Sequence, residues 1–213
     1  ADGQVTGNLI RHNGEIGIGG GASDRALVKG NEIAFNVWNG TDCDWECGGA
    51  KWAVTTQLTV SDNYVHDNAG PGLWTDIDCS DIVYERNRIE DNLTAGISHE
   101  ISGSAVIRDN SFRGNGKDTF MWGWSGQIQI QNSTNVKVYR NTLVLDPAKG
   151  GNGVMVIQQD RGRSHMPRDN FIHDNDIVMA GGTGAVTGWF ADYKWKRFPD
   201  ANNRFDRNRY HLG

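Results

Sequence analysis

Two short stretches, Gly72-Leu-Trp-Thr-Asp76 and Gly96-Ile-Ser-His-Glu100, carry an acid at the same place, 24 residues apart. If the backbone sets these acids side by side, two like charges share one site. Either one carboxyl takes up a proton at a raised pKa, or a cation or basic side chain neutralises the pair. Both outcomes support chemistry. A protonated and an ionised carboxyl about 5 Å apart suit retaining glycoside hydrolysis. Asp76, Asp78 and Glu100 together offer only oxygen ligands, which suits calcium. Lys51 can neutralise the acids or act as a base, His99 can transfer protons, and Trp74 offers a ring face to a sugar.

What positions these residues is a repeat. The pattern N-x-φ-x-x-N, where φ is apolar, recurs at 8–13, 31–36, 63–68, 87–92, 110–115 and 170–175, with degenerate copies at 140–145 and 207–212. Successive first asparagines lie 23, 32, 24 and 23 residues apart, which is a solenoid period with insertions on one side. Each unit reads as three short strands. An alternating run such as Leu58-Thr-Val-Ser-Asp-Asn63 precedes the first Asn, the apolar residue after it opens a second strand, and a Gly opens a third. Runs this short, joined by Asn and Gly corners, exclude helices. Asn suits such corners because it accepts left-handed backbone angles and its amide can stack on the Asn one coil away.

Aligning the third strands on their opening Gly gives a register. Ala50, Leu73, Ile97, Ile128 and Val154 point inward, the last two after a one-residue adjustment. Alternation then makes Lys51, Trp74, Ser98, Gln129 and Met155 an outward row and Trp52, Thr75, His99, Ile130 and Val156 an inward one. The next outward row is Ala53, Asp76, Glu100, Gln131 and Ile157, with Asp78 two residues on. His99 falls inward, where a hydrogen-bonded core role competes with a catalytic one. Gln159 and Arg161 follow the strand at 153–158, and Arg161 could hold a sugar carboxylate through its planar fork. Trp122 and Trp124 enter the same face from an insertion and are candidates for a groove wall.

The 213 residues read as a single domain, and the formal charge of −5 argues against nucleic acid as a partner. Glycine (28) and asparagine (20) favour a turn-dense β fold. No apolar run is long enough to span a bilayer, and no signal peptide is evident. A chain that starts at Ala1 is expected to be a processed or excised product. With Cys43 and Cys47 four apart, a local disulfide implying an oxidising compartment and free buried thiols both remain open, and no ligand spacing suggests zinc. Asn39, Asn92 and Asn132 match glycosylation sequons at the rate expected by chance. Gly17–Asp24 lacks the Lys-bearing helix of a phosphate loop.

The Asn-bracketed repeat resembles that of right-handed parallel β-helix proteins of the pectate-lyase-like superfamily. The stretch 72–102, with Gly-Gly-Ala-Lys51-Trp before it and Val156-Ile-Gln-Gln-Asp-Arg-Gly after it, is similar to a bacterial subgroup of β-helix proteins. The resemblance implies an all-β right-handed parallel β-helix of roughly seven to eight coils. It also implies a secreted protein whose groove holds an extended polysaccharide along the parallel strands, with lyase or glycoside hydrolase activity. In a polyuronate lyase, calcium held by Asp76, Asp78 and Glu100 would neutralise the substrate, and Lys51, His99 or Arg161 would take the proton. In a hydrolase Asp76 and Glu100 would be the working pair. Trp74, Trp122, Trp124, Arg161, Gln131 and Gln159 would bind the glycan. The alternative is a non-catalytic glycan-binding, adhesin-like or filament-forming β-helix, joining end to end through uncapped coils. Such helices usually carry an N-terminal cap, and none is legible before Gly7. The aromatic, basic stretch at 189–205 is expected either to fold over the last coil or to form a surface loop.

Overall fold

The computed structural model describes residues 2–43, 45–117, 123–145, 151–161, 166–179, 186–193, 198 and 201–212. They form three parallel sheets of eight, eight and seven strands, each strand pairing with its equivalents one coil before and after, and contain no helix. This is a right-handed parallel β-helix of seven to eight coils.

Alternation within strands of three to seven residues fills the interior. On the first sheet, Val28, Val60, Tyr84, Ile107 and Val138 stack in one inward column. On the second, Ile33, Val65, Ile89, Phe112 and Leu143 do the same. On the third, Ala50, Leu73, Ile97, Ile128 and Val154 align as the Gly register predicts. All are buried in one continuous core. The second inward row of the third sheet runs Gly20, Trp52, Thr75, His99, Ile130. Gly20 is needed there because a Cβ would come within 2.4 Å of the Trp52 ring.

The corner between the first and second sheets is held by an asparagine ladder. Asn31, Asn63, Asn87, Asn110 and Asn141 each donate a side-chain N–H to the Oδ1 of the next coil's Asn at 2.9–3.0 Å. Each backbone N–H donates to that same oxygen. The second amide hydrogen reaches a backbone carbonyl of the preceding coil, as from Asn87 to Val60 O at 2.9 Å. A second ladder runs Asn36, Asn68, Asn92, Asn115 and ends on Gln127. The left-handed residue at the first corner is the one before the asparagine, not the asparagine itself: Asp62 (φ 57°), Arg86 (53°), Asp109 (57°) and Arg140 (53°). Asn is selected here for its amide, which satisfies buried backbone groups of two neighbouring coils.

The remaining corner carries hydroxyls. Ser102 Oγ accepts from the Cys79 backbone N–H and Ser133 Oγ from that of Ser102, and Thr55 pairs with Ser23. Cys79 occupies a hydroxyl position in this series, with Sγ facing the Asp76 and Trp52 carbonyls at 3.3 and 3.5 Å. Cys43 and Cys47 form the local disulfide. Within 189–205, Trp189 belongs to a regular third-sheet strand, Gly188–Ala191, and its ring lies 6.3 Å from Phe198 and 5.4 Å from Phe205. That part of the stretch is coil, not appendage, and Phe198 packs against the core.

Substituting Asn87→Ala leaves the Asn63 amide and two backbone groups without partners. It should lower stability by roughly 3 kcal/mol or more, whereas Cys79→Ser should stay within about 1 kcal/mol of the parent. Urea midpoints of the two variants measure the contrast.

Candidate functional site

The rows built from the sequence meet as expected: Lys51 pairs with Trp74, Trp74 with Ser98, Thr75 with His99, and Ala53, Asp76, Glu100 and Gln131 follow one another. Asp76 and Glu100 are therefore one strand spacing apart, about 4.8 Å. Pointing outward does not expose them, however. Glu100 and Asp76 are each only 8% accessible and Lys51 5%; the insertion before this sheet's second strand roofs Lys51 with Trp45 and Glu46 and supplies Thr41 and Asp42 to the wall beside Glu100.

The acids have different surroundings. Asp76 Oδ2 is 3.1 Å from Lys51 Nζ, while its Oδ1 is buried with no hydrogen-bond partner. The Lys51 ammonium lies 3.6 Å above the Trp74 ring, 3.6 Å from Glu46 Oε1, and donates to the Trp45 carbonyl in the disulfide-closed loop. Glu100 Oε1 accepts from Gln131 Nε2 at 2.9 Å and faces Arg161 Nη2 at 3.3 Å. Burial pushes the Glu100 carboxyl up to about 7; the Asp76 charge adds to this, and Arg161 and Lys51 oppose it.

His99 is fully buried in the inward row and does not line the cleft beside Glu100. Tyr84 donates to Thr75 Oγ1 at 2.9 Å, Thr75 donates to His99 Nδ1 at 2.7 Å, and Nε2–H donates to the Gly103 carbonyl at 2.9 Å. A carbonyl only accepts, which sets the tautomer. Burial lowers the imidazole to about 4, so the ring is a neutral link in a core polar chain. Asp78 is also separated from its expected partners. It is an exposed corner residue with φ 55°, and among the described residues no three His, Cys, Asp or Glu side chains form a metal-binding group. The acids present are matched by Lys51 and Arg161 and do not fit a calcium cage.

A cleft of about 590 Å³ opens beside Glu100, in the range of small-ligand sites. Its lining comes from five successive coils, from Thr41 and Asp42 through Trp74, Glu100 and Gln131 to Arg161. It therefore crosses the strands and follows the solenoid axis, rather than running along the strands as the sequence suggested. Gln131 and Gln159 lie in it, joined at 2.6 Å, and Arg161 Nε donates to Gln159 at 3.3 Å. Trp124 forms one edge, packed on Met155 and Ile157 and donating to Asp192 Oδ2 at 2.8 Å. Trp122 lies outside the described residues. Lys51 and Asp76 stand next to the cleft without lining it. Sequence reading missed Trp38 and Trp45, 68% and 79% exposed on the loop that supplies Thr41, Asp42 and Cys43 to the wall. Only their occurrence in a polar, turn-rich segment marked them.

Glu100 and His99 pull stability in opposite directions with pH. The His99 contribution is complete above 6.5 and is lost as pH falls towards about 4. The Glu100 penalty is complete above about 7 and is relieved as pH falls to 4.5. Each amounts to roughly 3 kcal/mol, so they nearly cancel. Glu100→Gln should be more stable than the parent by about that amount at pH 7.5 and equal to it near pH 4.5, as read from urea midpoints.

Among known proteins, the family model described as right handed beta helix region matches residues 1–143. No curated protein matches the chain. Of solved structures, the A-module of the Azotobacter vinelandii mannuronan C-5 epimerase AlgE4 is similar at 14% identity and TM-score 0.70, over 99% of this chain and 55% of that one. The Dettilon tailspike protein is similar at 16% identity and TM-score 0.62, over 97% of this chain and 41% of that one. This chain thus spans about half the length of these structures, and at such identities the likeness is one of fold. The chain belongs to the right-handed β-helix family.

Proposed function

We propose that the protein is a glycoside hydrolase acting on an extended glycan laid along the solenoid axis, with Glu100 as the proton donor. The observation that carries this reading is a buried carboxyl, held near neutrality at about 7, lining an open cleft that crosses five coils. A group with that pKa is protonated often enough to donate and is still acidic enough to release its proton to a glycosidic oxygen. Trp74 and Trp124 supply apolar ring surface beside it and Gln131 orients it. Asp76 acts from the adjacent strand: its charge helps keep the Glu100 proton in place, while Lys51 holds Asp76 itself. The mannuronan epimerase lends support only as a β-helix protein with a named polysaccharide substrate. The Cys43–Cys47 disulfide supports an extracytoplasmic setting.

Activity needs protonated Glu100, so it should be full below pH 7 and fall as pH rises through about 7. Glu100→Gln should lower kcat by about 10²- to 10⁴-fold, with KM changed far less. Asp76→Asn should keep most activity but move the alkaline limb to lower pH, because the charge that raises Glu100 is gone. Reducing-end release from a polysaccharide panel, followed against pH, measures all three. New ultraviolet absorbance from an unsaturated product would instead reveal a lyase and overturn the hydrolytic reading.

A further inference from the structure

We propose that the cleft is built for an uncharged glycan, read through its hydroxyls by a floor of side-chain amides, and that polyuronates do not fit it. This deepens the reading above and rests on its glycan-binding part.

Of the nineteen described residues that line the cleft, three are ionisable: Asp42, Glu100 and Arg161. Their sum is zero with Glu100 protonated and −1 with it ionised, and in neither state positive. A polyuronate brings a negative charge on every sugar and needs matching cations along its track. Among the described residues of the lining the one cation is Arg161, and it is already engaged, its Nη2 at 3.3 Å from Glu100 Oε1 and its Nε on Gln159 Oε1. Lys51 does not reach the cleft; its ammonium is taken by Asp76, Glu46, the Trp45 carbonyl and the Trp74 ring. Capturing a carboxylate with Arg161 would pull its guanidinium off both Glu100 and Gln159.

The floor suits hydroxyls. Gln129 and Gln131 stand on one strand, Gln159 follows the strand one coil on, and the three are tied in one chain: Gln129 Nε2 to Gln131 Oε1 at 3.3 Å, and Gln131 Nε2 to Gln159 Oε1 at 2.6 Å. The Ser125 backbone N–H holds Gln129 from the other side at 3.4 Å. Amides carry both donors and acceptors, as a sugar hydroxyl does, and these are immobilised before a ligand arrives. Ser98, Ser125 and Thr94 add hydroxyls, and the two tryptophans add ring surface. A neutral hexose polymer, apolar on its ring faces and hydroxylated on its rim, meets both halves of this lining.

Affinity electrophoresis of the intact protein in gels containing uncharged hexans (glucans, mannans, galactans) or polyuronates tests the proposal. Retardation is expected with at least one hexan and with no polyuronate, and the hexan affinity should change by less than about twofold between ~0.05 and ~0.5 M salt. Gln131→Ala should weaken it by about tenfold or more, with Gln129→Ala as the second variant should the first fail to fold. Retention by polyuronates alone, declining with salt, overturns the substrate class and leaves the glycan reading standing. Hexan binding without reducing-end release upholds this inference and overturns hydrolysis. No retention by any glycan overturns the inference together with the glycan reading beneath it.

Discussion

Every later feature of this molecule depends on the amide of one asparagine meeting the amide of its equivalent one coil away. Oδ1 accepts from both a backbone and a side-chain N–H of its neighbour, and the remaining amide hydrogen closes on a carbonyl of the preceding coil. A slip by one residue would break all of these bonds in a site that excludes water, where each stranded group costs roughly 1–3 kcal/mol. The ladder thus sets the register as firmly as the hydrophobic pattern does. In a strand of period two, that register decides which of His99 and Glu100 points into the core.

Once the register is set, desolvation assigns the chemistry. It acts on both neighbours in the same way, against the charged form, and with opposite titration outcomes: the imidazole is driven down and the carboxyl up. His99 becomes an inert neutral link between Thr75 and Gly103. Glu100 becomes a carboxyl of raised pKa at a wall of the cleft. One physical effect gives two residues joined by a single peptide bond opposite pKa shifts.

His99 owes its desolvation to the core, whereas Glu100 lies in a cleft with one wall supplied by an insertion. Where the spacing between first asparagines stretches from 23 to 32 residues, the extra chain carries Thr41, Asp42, the disulfide loop and the exposed Trp38 and Trp45. That loop lends Lys51 a carbonyl and a carboxylate, which keeps the lysine beside the cleft instead of in it. The asparagine repeat gives each coil the same backbone, and the insertions give the coils different surfaces.

The repeat, the three strands per coil, the inward columns and the pairing of Asp76 with Glu100 were all legible in the sequence, because periodicity and Asn/Gly punctuation are local and recur. The left-handed role at the corners was assigned to Asn when Asp62, Arg86, Asp109 and Arg140 carry it, since sequence alone does not separate a backbone preference from a side-chain hydrogen bond. The accessibility of Asp76, the direction of the cleft, and the separation of Asp78 and Lys51 from it were not legible either. These depend on where aperiodic loops fold back, which no spacing encodes. The sequence by itself determined which residues share a row. Only the tertiary structure decided which members of that row lose their water, because burial is a property of the roof and not of the strand.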